Sequence, residues 1–152
     1  MIVYTLHREQ FLPISISKAW EFFSSPQNLS KITPPRMKFI IVSKSNEAIK
    51  EGALIEYRVS PLFNIPLKWV TIISKVDFPY CFIDKQKKGP YSLWEHEHTF
   101  KEVPGGILMT DKVNYALPFG FLGVIAHKLI VKRQLQEIFN YRNKVLEDLF
   151  KK

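Results

Sequence analysis

A chain of 152 residues has room for one sizeable core and no more. With 46% hydrophobic and 24% charged residues it is composed like a globular domain, which excludes a disordered tail or a collagen-like chain. The formal net charge of +8 raises a nucleic-acid or acidic-membrane partner. The Lys and Arg residues are spread along the chain, densest at Lys85-Gln86-Lys87-Lys88 and from Lys128 to Arg133, so they read as a solvated basic surface and no specific nucleic-acid binding is expected. Aromatic residues reach 14%, which suits a thick core or a cavity with apolar walls. The single cysteine, Cys81, excludes an internal disulfide, and the apolar run Tyr80-Cys81-Phe82-Ile83 suits a buried thiol. No signal peptide and no apolar stretch of membrane-spanning length is visible, so the expectation is a cytoplasmic protein without a transmembrane segment.

Ile2 to Phe11 reads as a first strand, ended by Pro13. Ser15 to Phe23 reads as a short helix, with Ser15 or Ser17 as its cap and Ile16, Ala19, Trp20 and Phe23 on one apolar face. A further helical turn at Asn28 to Ile32 precedes Pro34-Pro35. Strand signals follow at Lys38 to Lys44, Leu54 to Ser60, Leu67 to Val76, Tyr80 to Gln86, Tyr91 to Glu102 and Ile107 to Leu117, joined by short Gly- and Pro-bearing connections. Short connections between consecutive strands imply an antiparallel meander. After the hinge Pro118 to Gly123, the span from Val124 to Phe150 contains no Gly or Pro and reads as a long amphipathic helix. Its apolar stripe is expected to run through Leu122, Ile125, Leu129, Leu135, Ile138, Arg142, Val145 and Leu149. The sum is one α+β domain over 1–152: a curved antiparallel sheet of about seven strands, wrapped on the C-terminal helix, which is the element long enough to cover its concave face.

The stretch Trp94-Glu95-His96-Glu97-His98-Thr99-Phe100 alternates, so Trp94, His96, His98 and Phe100 share one strand face while Glu95 and Glu97 look toward water. The Gly105-Gly106 turn places His98 opposite Asp111, His96 opposite Val113 and Trp94 opposite Tyr115. Across the Gly89-Pro90 turn, Asp84 falls near His96 or Trp94. A slip of one residue would reverse every face, so the placement rests on the turns. Three readings of this face stay open. It is a hydrogen-bonded structural network, a polar anchor at one end of an apolar cavity, or an Asp-oriented histidine acting as general acid–base. His96-x-His98 with Asp84 or Asp111 also offers metal-ligand chemistry, but two histidines at this spacing are common, and no metal is expected. Arg142, on the helix stripe, either reaches a carboxylate or the rim, or clamps an anionic head group.

The chain resembles the helix-grip proteins of the START-like, pollen-allergen-like superfamily (SRPBCC), which includes polyketide cyclase-like and lipid-transfer proteins. Three segments carry the resemblance: Ile14 to Pro34 with Ala19-Trp20-Glu21-Phe22-Phe23; Phe82 to Gln86 with Gly89-Pro90-Tyr91 and Trp94 to Phe100; and Asp111 to Tyr115 with Pro118-Phe119-Gly120 and Ile138 to Arg142. It is most similar to small bacterial members labelled ligand-binding or cell-division-inhibitor-like. The resemblance implies a cavity between sheet and helix for a small hydrophobic molecule or lipid, and no cofactor. On that reading Asp84, Trp94, His96, His98, Asp111, Tyr115 and Arg142 would contact the ligand. The alternative it leaves is a cyclase- or dehydratase-like enzyme with His96 or His98 as acid–base and Asp84 or Asp111 orienting it.

Overall fold

The computed structural model describes residues 1–42, 49–61 and 64–151. Strand β1 (Tyr4–Leu12) alternates in burial along its length, as a strand with one covered face must. Helix α1 (Ile16–Phe23) is capped by Ser15, whose hydroxyl oxygen accepts from the Lys18 amide at 3.1 Å, and it buries Ala19, Trp20 and Phe23. Two 3₁₀ segments follow, Pro26–Ile32 and Pro35–Met37, each opened by a proline that lacks the amide the first turn would leave idle. Strand β2 is only Ile40–Ile41, shorter than the predicted Lys38 to Lys44, although the Val42 amide still donates to the Glu56 carbonyl at 2.8 Å. Ser43 and Lys44 lie outside the described residues.

Strands β3 (Leu54–Val59), β4 (Leu67–Asp77), β5 (Cys81–Lys88), β6 (Leu93–Val103) and β7 (Gly106–Ala116) complete one antiparallel sheet in the order β1-β7-β6-β5-β4-β3-β2. The sequence expectation of a meander holds, with β1 closing back onto β7. Two register shifts between β4 and β5, where Lys87 of β5 and Ser74 of β4 have no partner, are bulges of the kind that bend a strand and curve a sheet.

The C-terminal segment is one helical rod with a fault in it. Helix α2 (Gly120–Ala126) passes through a π-helical turn (His127–Val131) into helix α3 (Lys132–Phe150), and the joining residues keep right-handed helical angles. The extra residue of a π turn rotates everything after it by about a quarter turn. The stripe expected from the sequence therefore splits. Leu135 is buried and Ile138 and Val145 are half-buried, but Leu122, Ile125, Leu129 and Leu149 are exposed. The covered face of α3 is Leu135, Phe139, Arg142 and Leu146.

Two apolar clusters fill the grip. One gathers Leu12, Trp20, Phe23, Phe82, Phe100, Met109 and Leu146; the other gathers Val113, Tyr115, Leu135 and Phe139. Along β6 the order is Trp94, His96, His98, Phe100; along β7 it is Met109, Asp111, Val113; along α3 it is Phe139, Arg142, Leu146. Each element thus contributes its buried polar residue at the boundary between the clusters.

The β6–β7 hairpin sets this alignment. Gly105 is left-handed at φ 85° behind Pro104, the order a type II turn needs, and Val103 pairs with Gly106. A Cβ on Gly106 would run into the Leu12 carbonyl oxygen and stand 2.9 Å from Pro13 Cα, both backbone atoms with no room to give. Gly106→Ala is expected to cost about 1–3 kcal/mol, the range for overpacking a tight site. Urea unfolding checks it; a midpoint equal to that of the parent chain would contradict this packing.

Candidate ligand cavity and its buried Asp–His–Arg network

The paired register is the predicted one: His98 opposite Asp111, His96 opposite Val113, Trp94 opposite Tyr115, and Asp84 opposite His96. The hydrogen bonds, however, run diagonally. His96 Nε2 lies 2.8 Å from Asp111 Oδ1, and His98 Nε2 lies 2.6 Å from Asp84 Oδ2. Each imidazole therefore reaches one neighbouring strand, and β5, β6 and β7 are tied together by side chains as well as backbone. From the helix, Arg142 Nη2 donates to the same Asp111 oxygen at 3.1 Å. The two imidazoles stack at 3.7 Å between ring centres, Phe82 stacks on His98 at 4.1 Å, and the Arg142 guanidinium sits over the rings of Phe23 and Phe139.

Burial alone would raise the Asp111 carboxyl, but Arg142 beside it and the bond from His96 outweigh that and hold it well below the usual carboxylate range. Burial would likewise raise Asp84, and the hydrogen bond from His98 turns the balance downward. His98 is lowered to about 4, first by burial and then by the adjacent His96, against the pull of Asp84. At neutral pH both carboxylates are charged and His98 is not. An ionised carboxylate only accepts, so Nε2 of each histidine carries a proton, and on uncharged His98 the Nδ1 holds the lone pair. Arg142 is matched by Asp111, leaving Asp84 with a charge no cation in the network answers directly.

The space between sheet and helix is a cavity of about 450 Å³. That is within the size range of small-molecule sites. Its walls are largely apolar, with Tyr57, Trp69, Tyr91 and Trp94 along the sheet side and Leu135, Ile138 and Phe139 along the helix. Asp84, His96, His98 and Arg142 form its polar part. The Asp84 side chain is 16% exposed, and its Oδ1 accepts no hydrogen bond among the described residues. Trp69 packs edge-on against Trp94 at 5.3 Å and against Tyr91 at 5.7 Å. Trp69 Nε1 donates to Thr71 Oγ1 at 3.0 Å, and the Tyr57 hydroxyl lies 2.6 Å from the same oxygen. Burial, with Asp84 nearby, pushes the Tyr57 hydroxyl up, so it stays protonated.

Of the seven residues expected from the sequence, the structure places Asp84, Trp94, His96, His98 and Arg142 on the cavity. Asp111 lies behind them, holding His96 and Arg142. Tyr115 is turned away: its hydroxyl meets His127 Nε2 at 2.8 Å, and His127 stacks on Tyr4 at 3.5 Å. His127 is thus a satisfied core residue. Tyr57, Trp69 and Tyr91 were not singled out. Tyr57 and Trp69 pair across β3 and β4 with alternation intact, and Trp69 shares its face with Leu67 and Thr71; parity puts both rings inward but does not tell which inward rings border open space.

The ligand-type atoms of Asp84, His96 and His98 lie within 4.8 Å of one another. A tetrahedral zinc ion at ~2.0 Å would hold them roughly 3.3 Å apart. Both Nε2 atoms are instead committed to carboxylates on opposite sides, so the set as arranged is a hydrogen-bonded network and not a coordination shell.

Solved structures share this architecture across nearly the whole chain. Protein Ms6760 from Mycobacterium smegmatis matches with a TM-score of 0.66 at 16% identity, covering 98% of each chain. TTHA0849 from Thermus thermophilus matches with a TM-score of 0.67 at 18% identity over 95% of each chain. Ara h 8.0201, a helix-grip protein, matches with a TM-score of 0.63 at 13% identity over 97% of this chain and 99% of its own. No protein-family description and no curated protein sequence matches. At these identities the likeness establishes the fold, which is the helix grip expected from the sequence.

The network makes two measurable demands. Arg142→Met leaves Asp111 charged and buried without its cation, and breaking one side of a buried pair costs about 3–5 kcal/mol; urea unfolding at neutral pH measures it. The second concerns pH. Because the folded-state value of His98 lies below its unfolded value of 6.5, the unfolded chain takes up the proton first as pH falls. Stability is complete above about pH 6.5, declines between there and about pH 4, and levels off for this group below that. The depressed Asp84 and Asp111 then extend the loss to lower pH. The ring-proton NMR shift of His98 is expected to stay flat down to about pH 5 and move near pH 4; a midpoint near 6.5 would contradict the burial argument.

Proposed function

We propose that the chain binds a small, largely hydrophobic molecule or lipid in the cavity between sheet and C-terminal helix, as a ligand-binding member of the small bacterial SRPBCC proteins acting in the cytoplasm. The observation that carries this reading is the cavity itself: about 450 Å³ of apolar space ending at charged, hydrogen-bonding side chains. Aromatic walls supply broad apolar contact, and a few polar atoms fix orientation. Asp84 offers its free oxygen to a hydroxyl or amine donor. His96 and His98 are oriented by their carboxylates, and His98 offers the lone pair of Nδ1. Arg142 is spent chiefly on Asp111, which favours a structural clasp over a clamp for an anionic head group.

The network is also under-satisfied. His98 Nδ1, Asp111 Oδ2 and Arg142 Nε are buried without a hydrogen-bond partner among the described residues, so each could take a polar atom of a bound molecule.

A second reading is general acid–base catalysis on the bound molecule, of cyclase or dehydratase type. The oriented His96–Asp111 pair favours it, because a carboxylate-held imidazole has the tautomer and position that proton transfer needs. His98 suits that role less, since its ring is sandwiched by Phe82 and His96.

Native mass spectrometry of freshly purified protein is expected to show a co-purifying mass that organic extraction releases. Ile138→Trp, which fills the cavity from the helix side, is expected to remove it while unfolding stays cooperative. A mass retained by the Ile138→Trp variant would contradict binding in the cavity. Loss of turnover with retained ligand in His96→Ala would favour the catalytic reading.

A further inference from the structure

The C-terminal rod begins with a stretch whose outward side covers nothing. From Phe119 to Leu129 that side carries Phe119, Phe121, Leu122, Ile125 and Leu129, with Phe119 81% and Leu129 69% exposed. These are not frayed residues on a loose end. Gly123 is pressed so close to the Pro118 carbonyl that a Cβ there would collide with it. His127, on the opposite side from the apolar residues, is held by the Tyr115 hydroxyl and the Tyr4 ring. The segment is anchored from beneath and apolar on top. The π turn sharpens this state, because it swings Leu122, Ile125 and Leu129, already off the covered stripe of α3, further toward solvent.

The charge along the chain beside the patch is of one sign. No Asp or Glu occurs between Asp111 and Glu137, while Lys128, Lys132 and Arg133 border the apolar residues. Arg133 pairs with Glu137, but Lys128 and Lys132 make no ion pair among the described residues. The whole chain carries +8. A contiguous exposed apolar face rimmed by polar residues marks an interaction surface. A helix with Phe and Leu outward and unpaired lysines beside them has the make-up of one that lies in the interface of an anionic bilayer. A second copy of this chain fits less well. A two-fold contact would set each basic rim against its own image.

We infer that this face, Phe119 to Leu129 with Lys128 and Lys132, docks the protein on anionic phospholipid membranes. The rings and aliphatic side chains enter the headgroup–acyl boundary, and the lysines meet lipid phosphates. Leu117 and Val131, which flank the segment, line the cavity, so docking would bring the cavity wall close to the lipid. The docking itself does not depend on the cavity holding a ligand.

Vesicle flotation with the full chain tests this. Vesicles of phosphatidylglycerol and phosphatidylcholine are expected to carry the protein up the gradient, and vesicles of phosphatidylcholine alone to carry little. Ile125→Asp with Leu129→Asp is expected to weaken binding on the order of ten-fold or more, as burying charge in place of apolar groups should. Lys128→Glu with Lys132→Glu is expected to do the same through charge. Both variants alter exposed side chains, so circular dichroism and the unfolding midpoint should match the parent, which separates lost docking from lost folding. Equal flotation of the Asp variant would overturn the assignment. So would an absence of flotation on anionic vesicles, whether the protein then sediments as a monomer or as a dimer that Leu129→Asp dissociates.

Discussion

The hydrogen-bonded ion pair between Arg142 and Asp111 is the point on which the grip closes. It joins the middle of the C-terminal helix to the middle of β7, inside a region where neither group meets bulk water. Such a pair adds little net stability over well-packed apolar residues, because both ions give up their hydration. Its effect is to fix position. A helix held only by leucine and phenylalanine can slide or rotate against a curved sheet at small cost. A guanidinium that must meet one carboxylate oxygen at 3.1 Å cannot. That oxygen also receives His96, and the second histidine ties β6 to β5 through Asp84, so the helix position is transmitted across three strands.

The cavity follows from where this clasp sits. Apolar packing is dense on the side of Trp20, Phe23, Phe100 and Leu146. On the other side the sheet is faced by rings too large to meet the helix without leaving gaps, among them Tyr57, Trp69 and Trp94. Those rings brace one another, and Thr71 anchors two of them through their polar atoms. A wall fixed by its own contacts does not collapse inward. The space beside it persists, with Asp84 in its polar part making no ion pair with Lys or Arg among the described residues.

Much of this was legible in the sequence, and the failures are informative. The histidine strand, its register with Asp111 and the approach of Asp84 followed from period-two alternation and two short turns, where little else can vary. Arg142 was placed correctly on the covered face because it lies deep in α3, well beyond the π turn. Residues at the other end of the rod were misplaced for the complementary reason. The six-residue step from Leu129 to Leu135 already breaks helical spacing, and the π turn carries Leu122, Ile125 and Leu129 further round to solvent. Trp69 kept its parity with Leu67 and Thr71, but alternation does not separate a ring that lines open space from one packed in the core. Tyr115 had the right parity and register, but strand logic cannot see a partner brought in from the helical rod, and His127 claims its hydroxyl.

The central claim is that the cavity is a binding space with its polar anchor at Asp84. A crystal structure of the protein soaked with a medium-chain alcohol such as decanol tests it most directly. The account predicts continuous density along Trp69 and Tyr91, with the hydroxyl donating to Asp84 Oδ1. A cavity closed by its own side chains, or an alcohol bound only outside it, would contradict the account.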